Sequence, residues 1–315
     1  MSAGLAIDAA LALVLPVLAW AVVATPDLRK AIVLFMALGL VAALAWARLA
    51  APDIALVEAA IGTGVTGALL MSCVPWAESL TPASRRARAD LALAGALAVV
   101  ACLGWAIRAL PEAGPGLTPA VLGALEVSGV EHPVTAVLLN YRSYDTLLEI
   151  VVLVAAAIGI DAVLPDDDAR RRLAPPARSL VGVLSHLLVP GAVLVAGFLV
   201  WKGAHAPGGA FQAGAVLAAG GILLLFARRL RPVPFAARAL RAALLAGPLL
   251  FLGVAVAPLV RGGRLLELPV AWAGVLILAI ETVLVVTIAI VLLMFFPARV
   301  LASSRAPDAT VEDPP

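Results

Sequence analysis

At 315 residues the chain has the length of two soluble domains, yet 63% of its positions are hydrophobic, 13% are charged and its mean hydropathy is +1.08. That is membrane composition, and it makes a soluble enzyme, a disulfide-stapled secreted domain and a nucleic-acid binder poor readings. The formal net charge of +2 carries no message about an acidic partner, because the positive residues mark topology.

Apolar runs of about twenty residues, the length a helix needs to cross a hydrocarbon core of about 30 Å, alternate with short charged islands. Nine such runs lie at 5–24, 31–50, 54–75, 90–110, 145–164, 180–201, 209–227, 239–260 and 270–296. No Lys or Arg precedes Asp8, so the first run is expected to be retained rather than cleaved as a signal peptide. The charged, Pro-containing stretches 77–90 and 165–179 divide the runs into blocks of three, two and four. The expectation is an all-α polytopic membrane protein of about nine transmembrane helices. Its segments are 1–80, 90–165 and 178–298, followed by a polar, Pro-rich tail at 303–315 that reads as disordered.

With the N-terminus outside, sixteen Lys and Arg residues fall in cytoplasmic loops and the tail, in clusters around Arg29, Arg86, Arg171 and Arg229, and six fall outside. This obeys the positive-inside rule and puts the C-terminus in the cytoplasm, as for a multi-pass protein of the cell (inner) membrane. Trp20, Trp46, Trp76, Trp105, Trp201 and Trp272 each stand near the end of a run, where indole favours the headgroup region. Cys73 and Cys102 lie inside runs and read as buried packing residues, with no disulfide, metal or cofactor role.

A charge at the centre of a span costs about 2.5–3.5 kcal/mol on insertion scales, so those that remain face a neighbouring helix or water and mark ion routes. Glu281, about 16 Å into the last run, is the deepest acid, and Glu58 lies about 7 Å into the third. Asp145 and Glu149 are four apart and share a helix face, while Arg142 is placed either to neutralise the pair or to clamp it. Asp53 follows Pro52 at the start of a run and fits a helix N-cap better than an ion route. His186, inside the sixth run, is either a satisfied buried histidine or a proton relay, and Asp8 reads as solvated. Both tyrosines of the chain, Tyr141 and Tyr144, lie beside these charges as interfacial anchors. In 202–214, KGAHAPGGAFQAG, Pro207, Gly208 and Gly209 allow a tight turn into a helix and close backbone approach, with His205 on the turn.

Three of these segments carry a resemblance. APDIALVE (51–58) and PVTAVLLNYRSYDTLLE (133–149) resemble stretches of the C-terminal extension of the large A subunit of Mrp-type multisubunit sodium/proton antiporters, a module also found as a small subunit of membrane-bound hydrogenases. HAPGGAFQAG (205–214) resembles the HxxPGGGFQGG hallmark of the antiporter's B subunit. The resemblance implies a fusion of the C-terminal region of the A subunit with a B subunit (MnhB-like), seated beside larger antiporter subunits and bringing no cofactor. By position it places Glu58, Asp145 and Glu149 on the cation or proton route, with Asp53, His186 and, by a looser match, Glu281 as further candidates. It assigns His205, Pro207, Gly208, Gly209, Phe211 and Gln212 to the B-subunit turn. Ala210, Ala213, Ser143 and Leu148 stand where the motifs carry glycine, which alters backbone approach there.

The chain has no fourteen-span antiporter domain, so it is expected to be a non-enzymatic subunit whose partners are other subunits of the complex, Na+ and/or H+, and the lipid bilayer, with no nucleic acid. A membrane arm of a hydrogenase or related respiratory complex is the alternative. A packing scaffold whose acids only cap and clamp helices is the third reading.

Overall fold

A computed structural model describes residues 3–79, 85–110, 116–163, 179–227, 229–230 and 233–303, with the backbone alone for 75–79, 85–93, 163, 179–180 and 297–303. Arg170, Arg171, Arg172, Arg178, Arg228 and Arg231, and the tail from 304, lie outside the described residues. So do the side chains of Trp76, Arg85, Arg86, Arg88 and Arg299.

All regular structure among the described residues is helical. In chain order the helices are α1 (Ala3–Ala24), α2 (Leu28–Arg48), α3 (Pro52–Val57), α4 (Thr66–Ser79), α5 (Arg85–Ala109), α6 (Thr118–Gly123) and α7 (Pro133–Ala136). They continue with α8 (Ser143–Val163), α9 (Ser179–Gly203), α10 (Ala210–Phe226), α11 (Arg238–Val256) and α12 (Ala273–Ser303). Two π-helical segments interrupt the series, Glu58–Val65 between α3 and α4 and Val137–Tyr141 after α7. The first starts at the last residue of the 51–58 motif and the second lies within the 133–149 motif. Such segments widen the helix by one residue per turn and recur at functional sites.

Every one of the nine apolar runs is helical, and six stretches are long and apolar enough to cross a membrane: Gly4–Ala24, Leu28–Arg48, Pro52–Val74, Val181–Gly203, Arg238–Arg261 and Ala273–Phe296. Two more, Ala94–Ala109 and Ala210–Phe226, are apolar but shorter, and α8 is 21 residues long with Asp145, Glu149 and Asp161 on it. The expectation of nine spans therefore rests on six by length and composition.

Local chemistry sets the ends. Asp27 caps α2 by accepting from the amides of Arg29 (2.9 Å) and Lys30 (3.1 Å), which fixes where the chain turns after α1. The return brings Arg48, at the end of α2, to Asp8 of α1 in a two-pronged pair, Nε to Oδ1 at 2.9 Å and Nη2 to Oδ2 at 3.0 Å. Asp8 is thus exposed but ion-paired.

α12 is the central post. Ile277, Ile280, Leu284, Ile288 and Val291 are essentially inaccessible on it, and α4, α8, α10 and α11 pack around. Glycine permits the close crossings: a Cβ on Gly214 of α10 would lie 2.6 Å from Ile288 Cγ2, and one on Gly247 of α11 would lie 2.6 Å from Thr287 Oγ1. Small residues at crossings are what membrane helices use where no hydrophobic force drives them together. The first and fifth helices are different, with the α1 span and the described side chains of 94–110 uncovered by the rest of the chain. Cys102 is on this open α5, so it is exposed rather than buried; Cys73 is half-buried, and neither forms a disulfide. Trp20, Trp105, Trp201 and Trp272 are likewise exposed, as interfacial anchors must be.

Candidate functional site

The three motif segments meet. α3 starts at Pro52, whose ring suits the first helical position, and its N-cap residue is Ala51 with no side-chain cap bond. Asp53 therefore does not cap its helix, contrary to the sequence expectation. Its carboxylate reaches across the fold instead: Oδ1 accepts from the Gly208 amide at 3.2 Å and Oδ2 lies 3.2 Å from His132 Nε2.

His132, which the sequence reading did not single out, is 8% exposed. Its Nδ1 accepts from the Val134 amide at 3.2 Å and so caps α7, which leaves the ring proton on Nε2, facing Asp53. The backbone amides of Glu131 (2.8 Å) and His132 (3.1 Å) both donate to Ala204 O at the end of α9, and Thr135 Oγ1 donates to Gly203 O at 2.5 Å. These bonds seat the stretch before the second motif on the turn of the third.

That turn is built as the glycines require. Gly209, at φ 112° and ψ −176°, is the N-cap of α10 in backbone territory essentially reserved for glycine. Its amide donates to Leu199 O at 2.9 Å, folding the turn back onto α9, and a Cβ on Gly203 would stand 2.9 Å from Gly209 Cα. The open face of Gly209 receives Glu281, whose Oε1 would be 2.9 Å from a Cβ there.

Glu281 comes from α12, about 12 Å along the helix from Ala273, and is 3% exposed. Oε1 accepts from the Ala210 amide at 3.3 Å, at the positive end of α10. Oε2 is buried with no hydrogen-bond partner among the described residues. Asp53 and Glu281 thus hold amides two residues apart on one turn. Gln212 is buried beside them, its Oε1 3.6 Å from the same Gly209 position, and Phe211 packs on the core. Pro207 is half-buried in the turn, and His205 is exposed, its ring 5.7 Å from Trp201.

The remaining candidates lie apart from this cluster. Asp145 opens α8 and pairs with Arg142 (Nη2 to Oδ2, 2.6 Å) on an exposed face, while Glu149 lies one turn further, uncovered by its own chain. His186 is exposed on α9 and faces Arg229 Nη1 at 2.9 Å, so it is not a buried histidine. Glu58 begins the first π segment, half-buried, with its carboxylate against Gly62 of its own segment and Gly39 of α2. No group of three or more His, Cys, Asp and Glu that could hold a metal occurs among the described residues.

Comparison with known proteins bears on this arrangement. Residues 13–79 match the MbhD family, described as the D subunit of MBH, and residues 180–298 match "Domain related to MnhB subunit of Na+/H+ antiporter". The chain joins an MbhD-type segment to an MnhB-related domain. The resemblance carried by the motifs thus holds, and the turn with its Glu281 partner belongs to the MnhB-related domain while Asp53 and Glu58 belong to the MbhD-type segment.

The fold is similar to a chain in the structure of the Mrp complex from Dietzia sp. DQ12-45-1b, at 21% identity and a TM-score of 0.75 over 96% of this chain. The chain spans about a third (35%) of the length of that relative. A second likeness is to the membrane-bound sulfane sulfur reductase, an archaeal respiratory membrane complex, at 21% identity and a TM-score of 0.54, covering 67% of this chain and 97% of the other. No curated protein matches the chain.

Proposed function

We propose that this chain is a non-catalytic membrane subunit of a multisubunit monovalent cation (Na+)/proton antiporter, and that Glu58, Asp145, Glu149 and Glu281 contribute to the ion path. The observation that carries the reading is Glu281, a carboxylate 3% exposed, held by one amide and with its second oxygen unengaged among the described residues. A carboxylate kept at that depth needs a proton, a cation or water to offset its burial, which a packing role would not demand. The MbhD-type and MnhB-related matches support it, as does the likeness to a chain of an Mrp complex.

The chain crosses the inner membrane nine times in this reading, with its N-terminus outside, as the arginine distribution requires. Asp145 and Glu149, uncovered on α8, face a neighbouring subunit that completes their site. The second reading, a membrane-arm subunit of a redox-driven complex, is favoured by the match to a hydrogenase subunit and the likeness to a sulfane sulfur reductase.

The test is to purify the tagged chain with its companions and to assay everted vesicles. Co-purification of antiporter-type subunits, and a Glu149→Gln complex that assembles but loses most cation-dependent proton movement, supports the antiporter reading. Co-purification of nickel-iron or iron-sulfur subunits favours the second, and near-normal proton movement by Glu149→Gln refutes the role of that carboxylate.

A further inference from the structure

Thr63 is 2% exposed, and its Oγ1 has no hydrogen-bond partner among the described residues. A threonine in a helix ordinarily returns its hydroxyl to a carbonyl one turn back, as Thr25 does to Ala21 O (2.6 Å) and Thr282 to Leu278 O (2.7 Å). Thr66, three residues on, does so across the π segment, to Ile61 O at 2.8 Å. Thr63 does not, and an orphaned buried hydroxyl costs about 1–3 kcal/mol, so its environment calls for a ligand.

What stands beside it is Glu58. A Cβ built on Gly39 of α2 would overlap Thr63 Oγ1 and lie 3.2 Å from Glu58 Oε1, so both oxygens flank the same bare glycine. The carboxylate also lies over Gly62, where a Cβ would meet Oε1 at 2.6 Å. Two glycines on facing segments thus leave the room that the two oxygens occupy. Thr63 makes no hydrogen bond to Glu58, and among the described residues nothing donates to the Glu58 carboxylate. Both groups present lone pairs to a shared third party.

We infer that Glu58 and Thr63, brought together against Gly39 by the π-helical segment 58–65, form a binding site for a monovalent alkali cation. Carboxylate and hydroxyl oxygens are hard donors suited to such ions and not to soft metals. One carboxylate balances one positive charge, and no second acid is part of the pair, which selects a monovalent over a divalent ion. The π turn supplies a reason for the local backbone: it shifts the register after Glu58 so that Thr63, five residues on, faces the same helix. This site deepens the ion-path reading and rests on it.

The test uses the assembled complex in vesicles, reading cation-dependent proton movement against NaCl with choline chloride holding ionic strength constant. Thr63→Val, which removes the hydroxyl and keeps the shape, raises the apparent KM for Na+ about tenfold with the maximal rate within about twofold of native. Thr63→Ser stays within about twofold of native KM, and Glu58→Gln loses Na+-dependent movement. Should Thr63→Val fail to assemble, Thr63→Ala takes its place with the same expectation. An unchanged KM in the hydroxyl-free variant together with an inactive Glu58→Gln overturns the cation site and leaves Glu58 as a proton group on the path. Native behaviour of both variants overturns the site and the placing of Glu58 on the path together.

Discussion

The neighbourhoods of Glu281 and of Asp145–Glu149 contain the same chemical group under opposite conditions. Glu281 is enclosed by its own chain, set on the positive end of α10 and positioned by a glycine that has no room for a side chain. Asp145 and Glu149 lie on an open helix face, the first already engaged by Arg142. A carboxylate finished inside one chain is sensitive to that chain's packing, whereas one on an uncovered face is sensitive to the partner that covers it. Both the MbhD-type segment and the MnhB-related domain contribute to the enclosed cluster, through Asp53 and the turn, so the junction between them is the rigid part of the molecule.

Substitutions should separate the two neighbourhoods. Gly209→Ala is expected to have the largest effect, because φ 112° disfavours any side chain and the new Cβ would stand 2.9 Å from Glu281 Oε1. Strain of about 1–3 kcal/mol, with the displaced carboxylate added, should lower the melting temperature of the complex or prevent its purification. His132→Ala follows, losing both the α7 cap and the contact to Asp53, at a cost of about 1–3 kcal/mol in thermal unfolding. His132→Asn should recover part of that loss, since asparagine caps well but is too short to reach Asp53. Arg142→Gln should come last: the pair with Asp145 is solvent-facing on the Arg side, and such pairs are worth about 0.2–1 kcal/mol. A large loss of stability in Arg142→Gln would mean that the α8 face is closed by this pair, removing the contrast.

Much of this was legible in the sequence. Run length placed every helix that builds the fold, because a spanning helix must satisfy its own backbone and declares itself by apolar length. The motifs named the turn and the acids. They did not give their meeting, because whether Asp53 caps its own helix or bonds to Gly208 depends on how residues 131–135 dock on Ala204, a contact between distant parts of the chain. His132 left one usable signal, its place immediately before Pro133 at a helix start, where capping residues stand. The exposure of His186 had no such signal, since an apolar run looks alike on its covered and uncovered faces. The π segment at 58–65 was also silent, and with it the facing of Thr63 and Glu58 toward Gly39.

The most direct measurement is proton movement by the Glu281→Gln complex in everted vesicles, with assembly checked by co-purification. Glutamine keeps an acceptor for the Ala210 amide and loses only the ability to carry charge or a proton, so the account predicts an intact complex whose cation-dependent proton movement falls at least tenfold. An assembled Glu281→Gln complex that moves protons at the native rate would contradict it and leave the enclosed carboxylate as a packing device.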